Sequence, residues 1–464
     1  MVSSLFESVA SVKERNSDLK GPQMGGLQGE LLLVVFMDDT GRAEGSPLRV
    51  LIVRGSFASL GGAERELLQL IQAASKGWEV GLATLDLPSD ARELLGSASV
   101  SIHQPNTPIS WPTGAFAEVT AKTSRLTQKI WKEVSIPWKS YDAVHLSVCK
   151  GTLELLPFIP TGLPVHYHCL EPPRWLYEDV LHRRLDGTPK RPLWLTSALF
   201  SRQRKRDQRF VKALLERPHS SISGNSMWIQ ERLNAVYGLA SDPTKTNGQP
   251  PDRDAEGRPL EATHLMHVID AEKWPMNASS EEPAALSSLP PRPSKYVVTI
   301  GKISHVKGTW ATLHSLASTD LGLVHVGGGS SSDQATLMAE GKRLGVEVVC
   351  MPRLSQVALV GLVREAVAMV SHAYGEPFGL TPIEAMAVGV PALMVDEGGF
   401  HHTMSPVMSG RLLARDDLSA WHEAYEEAQN PTIRAQWSEK GREYVEKYFT
   451  LPVQLEALQC MLES

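Results

Sequence analysis

No run of apolar residues in this sequence reaches the roughly 18 that a membrane-crossing helix requires. The nearest, Leu31–Met37, is bounded by Glu30 and Asp38. The first residues carry acids before any apolar stretch, which predicts no secretory signal. Cysteine is scarce: Cys149, Cys169, Cys350 and Cys460 lie far apart with no C-x-x-C pair. They are expected to be reduced, mostly buried thiols of a cytoplasmic protein. Positive charge is not in excess either. Lys and Arg number 46 against 52 Asp and Glu, a formal net charge of -6, so no global basic field attracts nucleic acid. Also missing is a G-x-G-x-x-G turn with an acid some 20 residues on, which argues against a dinucleotide-dependent oxidoreductase.

What is present is the grammar of an α/β protein, written twice. A chain of 464 residues is too long for one ordinary core. Residues 1–46 read as an appendage rich in Gly, Ser and charge, ending in a turn-rich segment. Arg49–Val53 is a short apolar strand of the kind buried on both faces of a parallel sheet. It leads through GSFASLGG into a helix from about Ala63, whose Leu67, Leu68, Ile71 and Ala74 share a face. Gly77 is placed to end that helix, and Glu79–Leu85 is a second strand. Further strands are expected at Ala143–Leu146, Val165–His168 and Ser220–Ser223. Residues 241–260 read as a surface loop, and 276–294, loaded with Pro and Ser, as an interdomain linker. The pattern then restarts. Strands at Tyr296–Ile300, Leu321–Val326, Val346–Cys350, Val367–Ser371 and Pro391–Val395 alternate with helical stretches. The expected division is 47–290, 291–440 and a C-terminal helix, 441–464, packing back toward the first domain. Ligands of such sheets bind beyond the carboxyl ends of the strands, so the natural site lies between the two domains.

The most informative segment runs from Gly375 to Pro391, GEPFGLTPIEAMAVGVP. Thr381, Pro382 and Glu384 read as N-cap, first-turn proline and N3 acid of a capping box, and Gly389 with Pro391 stops the helix. The free N–H groups of such a helix start can hold a diphosphate. Gly379 offers no side chain to obstruct a ligand. Glu376 and Glu384 can then serve one ligand from two ends. Taken alone, these acids are more simply a solvated loop residue and a helix cap.

This segment resembles the signature of glycosyltransferase family 4, retaining enzymes of the GT-B fold with paired glutamates. LGGAERELLQLIQAASKGWEV, EPPRWLYE, NSMWIQERLNAVYG and GKISHVKG resemble other family segments in the expected order, from about residue 48 to the C-terminus. The resemblance implies two Rossmann-like, doubly wound domains facing each other across a cleft. It implies a hexosyltransferase moving a sugar from a nucleoside-diphosphate sugar of UDP or GDP type to a hydroxyl acceptor: a glycan, a lipid-linked sugar or a small molecule. Lys302, in place of the usual arginine, and Lys307 would clamp the donor diphosphate, and Glu376 would lie near the transferred sugar with the backbone of Phe378, Gly379 and Leu380. Glu384 would bind ribose, while Thr381, Gly61, Gly62 and Gly301 belong to the donor site. His168, Glu171 and Arg174 stand on the acceptor side. No cofactor and no bound metal are implied.

Two positions depart from the family. Leu170 stands where a histidine is common, and His402 where a glutamate usually precedes Thr403. In an extended strand His168 and Leu170 share a face, so His168 is no obvious substitute. These changes motivate an alternative: a non-catalytic homologue that binds nucleotide sugar or regulates a partner. His166 and His168 are expected to be packing residues, His401 and His402 loop polarity. The basic stretch Arg202–Arg209 reads as a solvated helix face, with contact to a membrane surface left open. Trp175 and Tyr177 are read as stacking on an acceptor or packing at the cleft rim.

Overall fold

The computed structural model describes residues 46–464 except 108, 113–120, 241, 243 and 405–408. The appendage, apart from Ser46, therefore lies outside the described residues. Pro47–Ser464 forms one continuous body.

The chain begins with β1 (Arg49–Val53), α1 (Gly62–Ala74), β2 (Glu79–Ala83), α2 (Ser89–Leu95), β3 (Val100–His103) and α3 (Ala121–Glu133). It continues with β4 (Ala143–Ser147), β5 (Val165–Leu170), α4 (Arg174–Tyr177), α5 (Leu193–Leu199) and α6 (Ser201–Leu215). β6 (Ser220–Gly224), α7 (Met227–Tyr237) and β7 (Thr263–His264) complete a parallel sheet of order β3-β2-β1-β4-β5-β6-β7. Both faces are covered, as parallel strands require. Alternate residues explain how: Leu51 and Val53 join Val144, Leu146 and Leu214 on one face. Val50 and Ile52 join Leu68, Ile71 and Leu458 on the other.

After α8 (Glu282–Ser287) the second unit runs β8 (Tyr296–Ile300), α9 (Thr309–Ser315), β9 (Gly322–Val326), α10 (Ser331–Leu344), β10 (Val348–Met351) and α11 (Gln356–Glu365). Then come β11 (Ala368–Ser371), α12 (Leu380–Val388), β12 (Ala392–Val395), α13 (Gly399–Met404) and β13 (Gly410–Leu413). Its sheet is also parallel, in the order β10-β9-β8-β11-β12-β13. The chain ends with α14 (Leu418–Gln429), α15 (Pro431–Tyr448) and α16 (Leu451–Leu462). Of these, α16 packs on the first sheet: Ala457, Leu458, Met461 and Leu462 are buried with Val50 and Ile52. The fold class is thus α/β with two doubly wound parallel sheets.

Several expectations need correction. Residues 276–294 do not form a free linker. They carry α8, whose Leu286 packs on Gly361 of α11 and whose Glu282 pairs with Arg364 at 3.0 Å. The 241–260 loop is also pinned: Lys245 is buried against Asp252 and Glu261 at 2.8 and 3.1 Å, and Gly248 abuts Ala457 of α16. Of the four free cysteines only Cys169 is buried, and Cys460 is exposed. His401 and His402 lie on helix α13, not in a loop. The strands β3, β7 and β13 carry too few contiguous apolar residues to stand out in the sequence.

Candidate active site

The carboxyl ends of the two sheets border a cavity of about 670 Å³. The first sheet and its helices contribute Lys150, Glu154, Leu170, Glu171, Arg174, Trp175, Arg206, Asp207 and Phe210; the second contributes Val306, Lys307, Glu376 and Pro377. Sheet topology produces this convergence, because every parallel strand delivers its C-terminal loop to the same edge.

Lys307 and Glu376 form the centre. Lys307 Nζ donates to both carboxylate oxygens of Glu376, at 3.0 and 2.8 Å. Lys307 leaves β8 by a short loop, and its aliphatic chain lies over Gly301, where φ is +139°. Glu376 sits in the loop between β11 and α12. Its carbonyl accepts from Gly399 N, and a Cβ on Gly398 or Gly399 would press into residues 375–378. Two loops are therefore interlocked here.

The helix α12 begins two residues earlier than expected. Its N-cap is Gly379, at φ +92°, without a side-chain cap bond, so the capping box of Thr381 and Glu384 is not formed. The reason is steric: a Cβ at Gly379 would lie 2.5 Å from the Phe400 ring, so only glycine allows this turn. Leu380 and Thr381 occupy the half-buried first turn. Phe378 points into the core, against His267 and Phe449. Glu384 is half-buried on α12 and makes no hydrogen bond among the described residues; desolvation lifts its carboxyl to about 7.

Across the cavity, Glu171 and Arg174 follow β5. Arg174 Nε donates to Glu178 at 2.7 Å, and its Nη2 donates to the Tyr374 carbonyl of the second sheet at 2.7 Å. Glu171 Oε2 is shielded and unbonded, 3.8 Å from Arg174 Nε. Burial pushes its carboxyl up to about 7; Arg174 opposes this, and the negative charge of Glu376 adds to it. Ser226 Oγ donates to the Pro377 carbonyl at 2.5 Å. Met227 N donates to His402 Nδ1 at 3.2 Å.

Other expected residues are not brought into the cavity. His168 is buried under α16 in a cluster with His145, His166 and His267, its pKa held well below the ordinary value by burial. The strand does not stay extended: the register shifts between His168 and Leu170, and Leu170 takes φ +55°. Leu170 rather than His168 thus lines the cavity. His402, between His264 and the α7 terminus, is neutral: burial lowers its pKa to about 4. Lys302 is exposed and makes no ion pair among the described residues. Gly61 caps α1, with its N–H on Glu64 Oε2 at 2.9 Å. A Cβ on Gly62 would meet open space.

The residues that the sequence reading passed over are Lys150, Arg206, Asp207 and Arg54. Arg206 and Asp207 looked like part of a uniform basic surface. A helical reading of Gln203, Asp207 and Phe210 as one stripe could have separated them. Asp207 accepts from Tyr177 and Tyr237 hydroxyls at 2.7 and 3.0 Å. Arg54 is buried beneath α1, donating to Ser147 Oγ and the Val148 carbonyl and pairing closely with Glu64. Among the described residues no cluster of His, Cys, Asp and Glu is arranged for a metal ion.

Two facing doubly wound sheets, with a cationic and acidic cleft beside a glycine-started helix, form the GT-B architecture. Residues 285–444, roughly a third of the chain, match the family model described as glycosyl transferases group 1, and the chain is a glycosyltransferase that uses a nucleotide sugar. The chain is 26% identical over 264 residues to the lipopolysaccharide core biosynthesis mannosyltransferase LpsB of Rhizobium meliloti, covering 52% of this chain and 69% of the relative. It is 29% identical over 143 residues to the D-inositol 3-phosphate glycosyltransferase of Mycolicibacterium smegmatis, covering 30% of this chain and only 33% of that protein. Among solved structures, Anabaena Alr3699/HepE in complex with UDP and glucose superposes with a TM-score of 0.59 at 16% identity, over 89% of this chain and 98% of that one.

Proposed function

We propose that this enzyme transfers a hexose with retention from a UDP- or GDP-type sugar to a hydroxyl acceptor, and that the cleft is its active site. The observation that carries this reading is the Lys307–Glu376 pair facing Glu171 and Arg174 across the cavity. As the anomeric carbon–oxygen bond to the diphosphate breaks, negative charge grows on the leaving group. Lys307 and Lys302 neutralise it, and the N-terminal amides of α12 at Leu380 and Thr381 add their dipoles. Lys302, being exposed and unpaired, can swing to a bound diphosphate, although an ammonium lacks the fork of an arginine. Glu376 faces the sugar and Glu384 the ribose. The unobstructed Gly62, with Gly61, Gly301 and Gly379, lets backbone approach the donor.

The acceptor enters on the other side. With its carboxyl near 7, Glu171 is able to bind a hydroxyl in either protonation state, and Arg174 ties its loop to Tyr374. The proposed division is 47–290 for the acceptor-side domain and 291–450 for the nucleotide-sugar domain, with α16 alone, rather than all of 441–464, as the returning helix, because α15 runs on to Tyr448 and packs with the second sheet. The working compartment is proposed to be cytoplasmic, with peripheral contact to a membrane.

A second reading, donor binding without transfer, draws support from Leu170 at the cavity wall, His168 turned into the core and His402 spent on an interdomain bond. One experiment separates the two. UDP, GDP and their sugar conjugates are titrated into the wild type, Glu376→Gln and Glu384→Ala, with donor turnover measured alongside. Transfer is expected to fall by roughly 10²-fold or more in Glu376→Gln with donor affinity nearly kept, and Glu384→Ala should lose nucleotide affinity. Nucleotide binding with neither transfer nor donor hydrolysis in the wild type supports the second reading instead.

A further inference from the structure

Large apolar side chains exposed on the described surface mostly stand alone, as Leu94, Leu260, Met338 and Leu418 do. The helix α5 is different. Within its seven residues Trp194 is 73% exposed, Leu199 51% and Leu195 37%. A single exposed leucine needs no explanation, but a tryptophan and two leucines clustered on one short helix do.

The helix that follows supplies charge. On α6, Arg202, Lys205, Arg209 and Lys212 are all exposed and fall on one stripe, at spacings of three, four and three residues. Residues 183–217 hold eleven Lys and Arg against three acids, in a chain whose net charge is -6. The opposite stripe of α6, with Gln203, Asp207 and Phe210, lines the cleft cavity. One helix thus separates the reaction cavity from a cationic outer face flanked by exposed Trp and Leu.

We propose that α5 and the outer stripe of α6 dock on an anionic lipid bilayer. A nucleic acid would satisfy the cations but leave Trp194, Leu195 and Leu199 in water, and an acidic protein would need an apolar patch of its own placed to match them. An anionic bilayer satisfies both at once: the aromatic and aliphatic groups enter the headgroup–acyl boundary while the cations meet lipid phosphates. Among the described residues no helix is long and apolar enough to cross a membrane, so the contact is peripheral. The proposal deepens the peripheral reading above by naming the face. Docked this way, the cavity wall formed by α6 lies next to the bilayer, where a hydroxyl acceptor carried on a lipid is held.

The test uses the full chain and sedimentation with vesicles of phosphatidylcholine, alone or mixed with phosphatidylglycerol. Binding is expected only to the mixed vesicles and should weaken at high salt. The double variant Trp194→Glu, Leu199→Glu should lose it. Replacing Arg202, Lys205 and Arg209 together by Gln should lower the partition coefficient by roughly tenfold or more. Because these side chains are exposed, both variants should keep the wild-type melting temperature and nucleotide-induced thermal shift. Failure of the nucleotide response in the wild type would count against the transferase reading and leave the vesicle result unaffected. Absence of binding to mixed vesicles would overturn the docking proposal. So would equal binding to neutral vesicles, or full binding by the Trp194/Leu199 variant, which would mark a patch for any polyanion.

Discussion

Gly379 shows how one missing side chain shapes the candidate site. Its left-handed backbone starts α12, and the space a Cβ would fill is taken by Phe400 of α13, the helix whose first residue, Gly399, is locked onto Glu376. Gly379→Ala therefore combines backbone strain with a clash against a buried ring. We expect a loss of about 1–3 kcal/mol in unfolding free energy, together with weaker donor binding, read by denaturant titration and calorimetry. A variant as stable as wild type would show that the loop yields easily and that the site is not preorganised by it. Neighbouring Phe378 makes the same point from the other side. The sequence match assigns it to the donor site, but only its backbone can serve there, since its ring is part of the core.

At the scale of elements, α16 is the informative case. The last helix of the chain closes the core of the first sheet, so residues 451–462 meet β1, the first described strand. Leu458, Met461 and Leu462 are buried there, and Gln454 donates to Glu66 of α1 at 2.9 Å and to the Met266 carbonyl at 3.0 Å. At about 1.5–3 kcal/mol for each large apolar side chain buried, the contact contributes roughly 5–9 kcal/mol, comparable to the net stability of a domain. Deleting residues 451–464 should consequently give a chain that aggregates or melts far below wild type, followed by size-exclusion chromatography and thermal unfolding. A soluble truncation with an unchanged melting temperature would refute this account. The shape of α6 carries a related lesson: two stripes of the same helix face different surroundings, so the basic run Arg202–Arg209 is not one feature but two.

Across the described residues, burial depresses the pKa of a whole group of histidines. Desolvation lowers the pKa of His145, His325 and His402 to about 4 and of His264 and His372 to about 3, and holds His166 and His168 well below their ordinary value. A histidine whose folded pKa is depressed contributes stability that is complete above its unfolded pKa, about 6.5. That stability is lost as the pH falls toward the folded value. Glu171 and Glu384, raised to about 7, act in the opposite sense: their stabilisation is complete below the ordinary carboxylate pKa and is lost as the pH rises through 7. Burial raises Glu154 and Asp207 as well, but these seven histidines outnumber the four acids, so the melting temperature should decline steeply from pH 6.5 toward pH 4, measured by scanning calorimetry. His264 and His402 lie where α13 meets α7. An acid-side melting profile as flat as that above pH 7 would contradict the role assigned to these groups.

Much of this protein was determined by its sequence alone. Repeated short apolar runs, each followed by a glycine-bearing turn and an amphipathic stretch, dictate two parallel sheets, because such strands bury both faces and need helical crossovers. β1 and β8 were legible to the residue, since their apolar runs are contiguous. The segment holding Glu376, Gly379, Pro382 and Glu384 carried the resemblance to glycosyltransferase family 4, and that resemblance implied the donor side. Only the tertiary structure decided the rest. The pairing of Glu376 with Lys307 joins positions 69 residues apart, and no local pattern encodes a distance of that kind. The kink at Leu170, which parts that residue from the buried face of His166 and His168, depends on how β5 registers with β6. The exposure of Trp194, Leu195 and Leu199 likewise became visible only once everything that covers the other apolar side chains was in place, because burial belongs to the assembled fold and not to the residue.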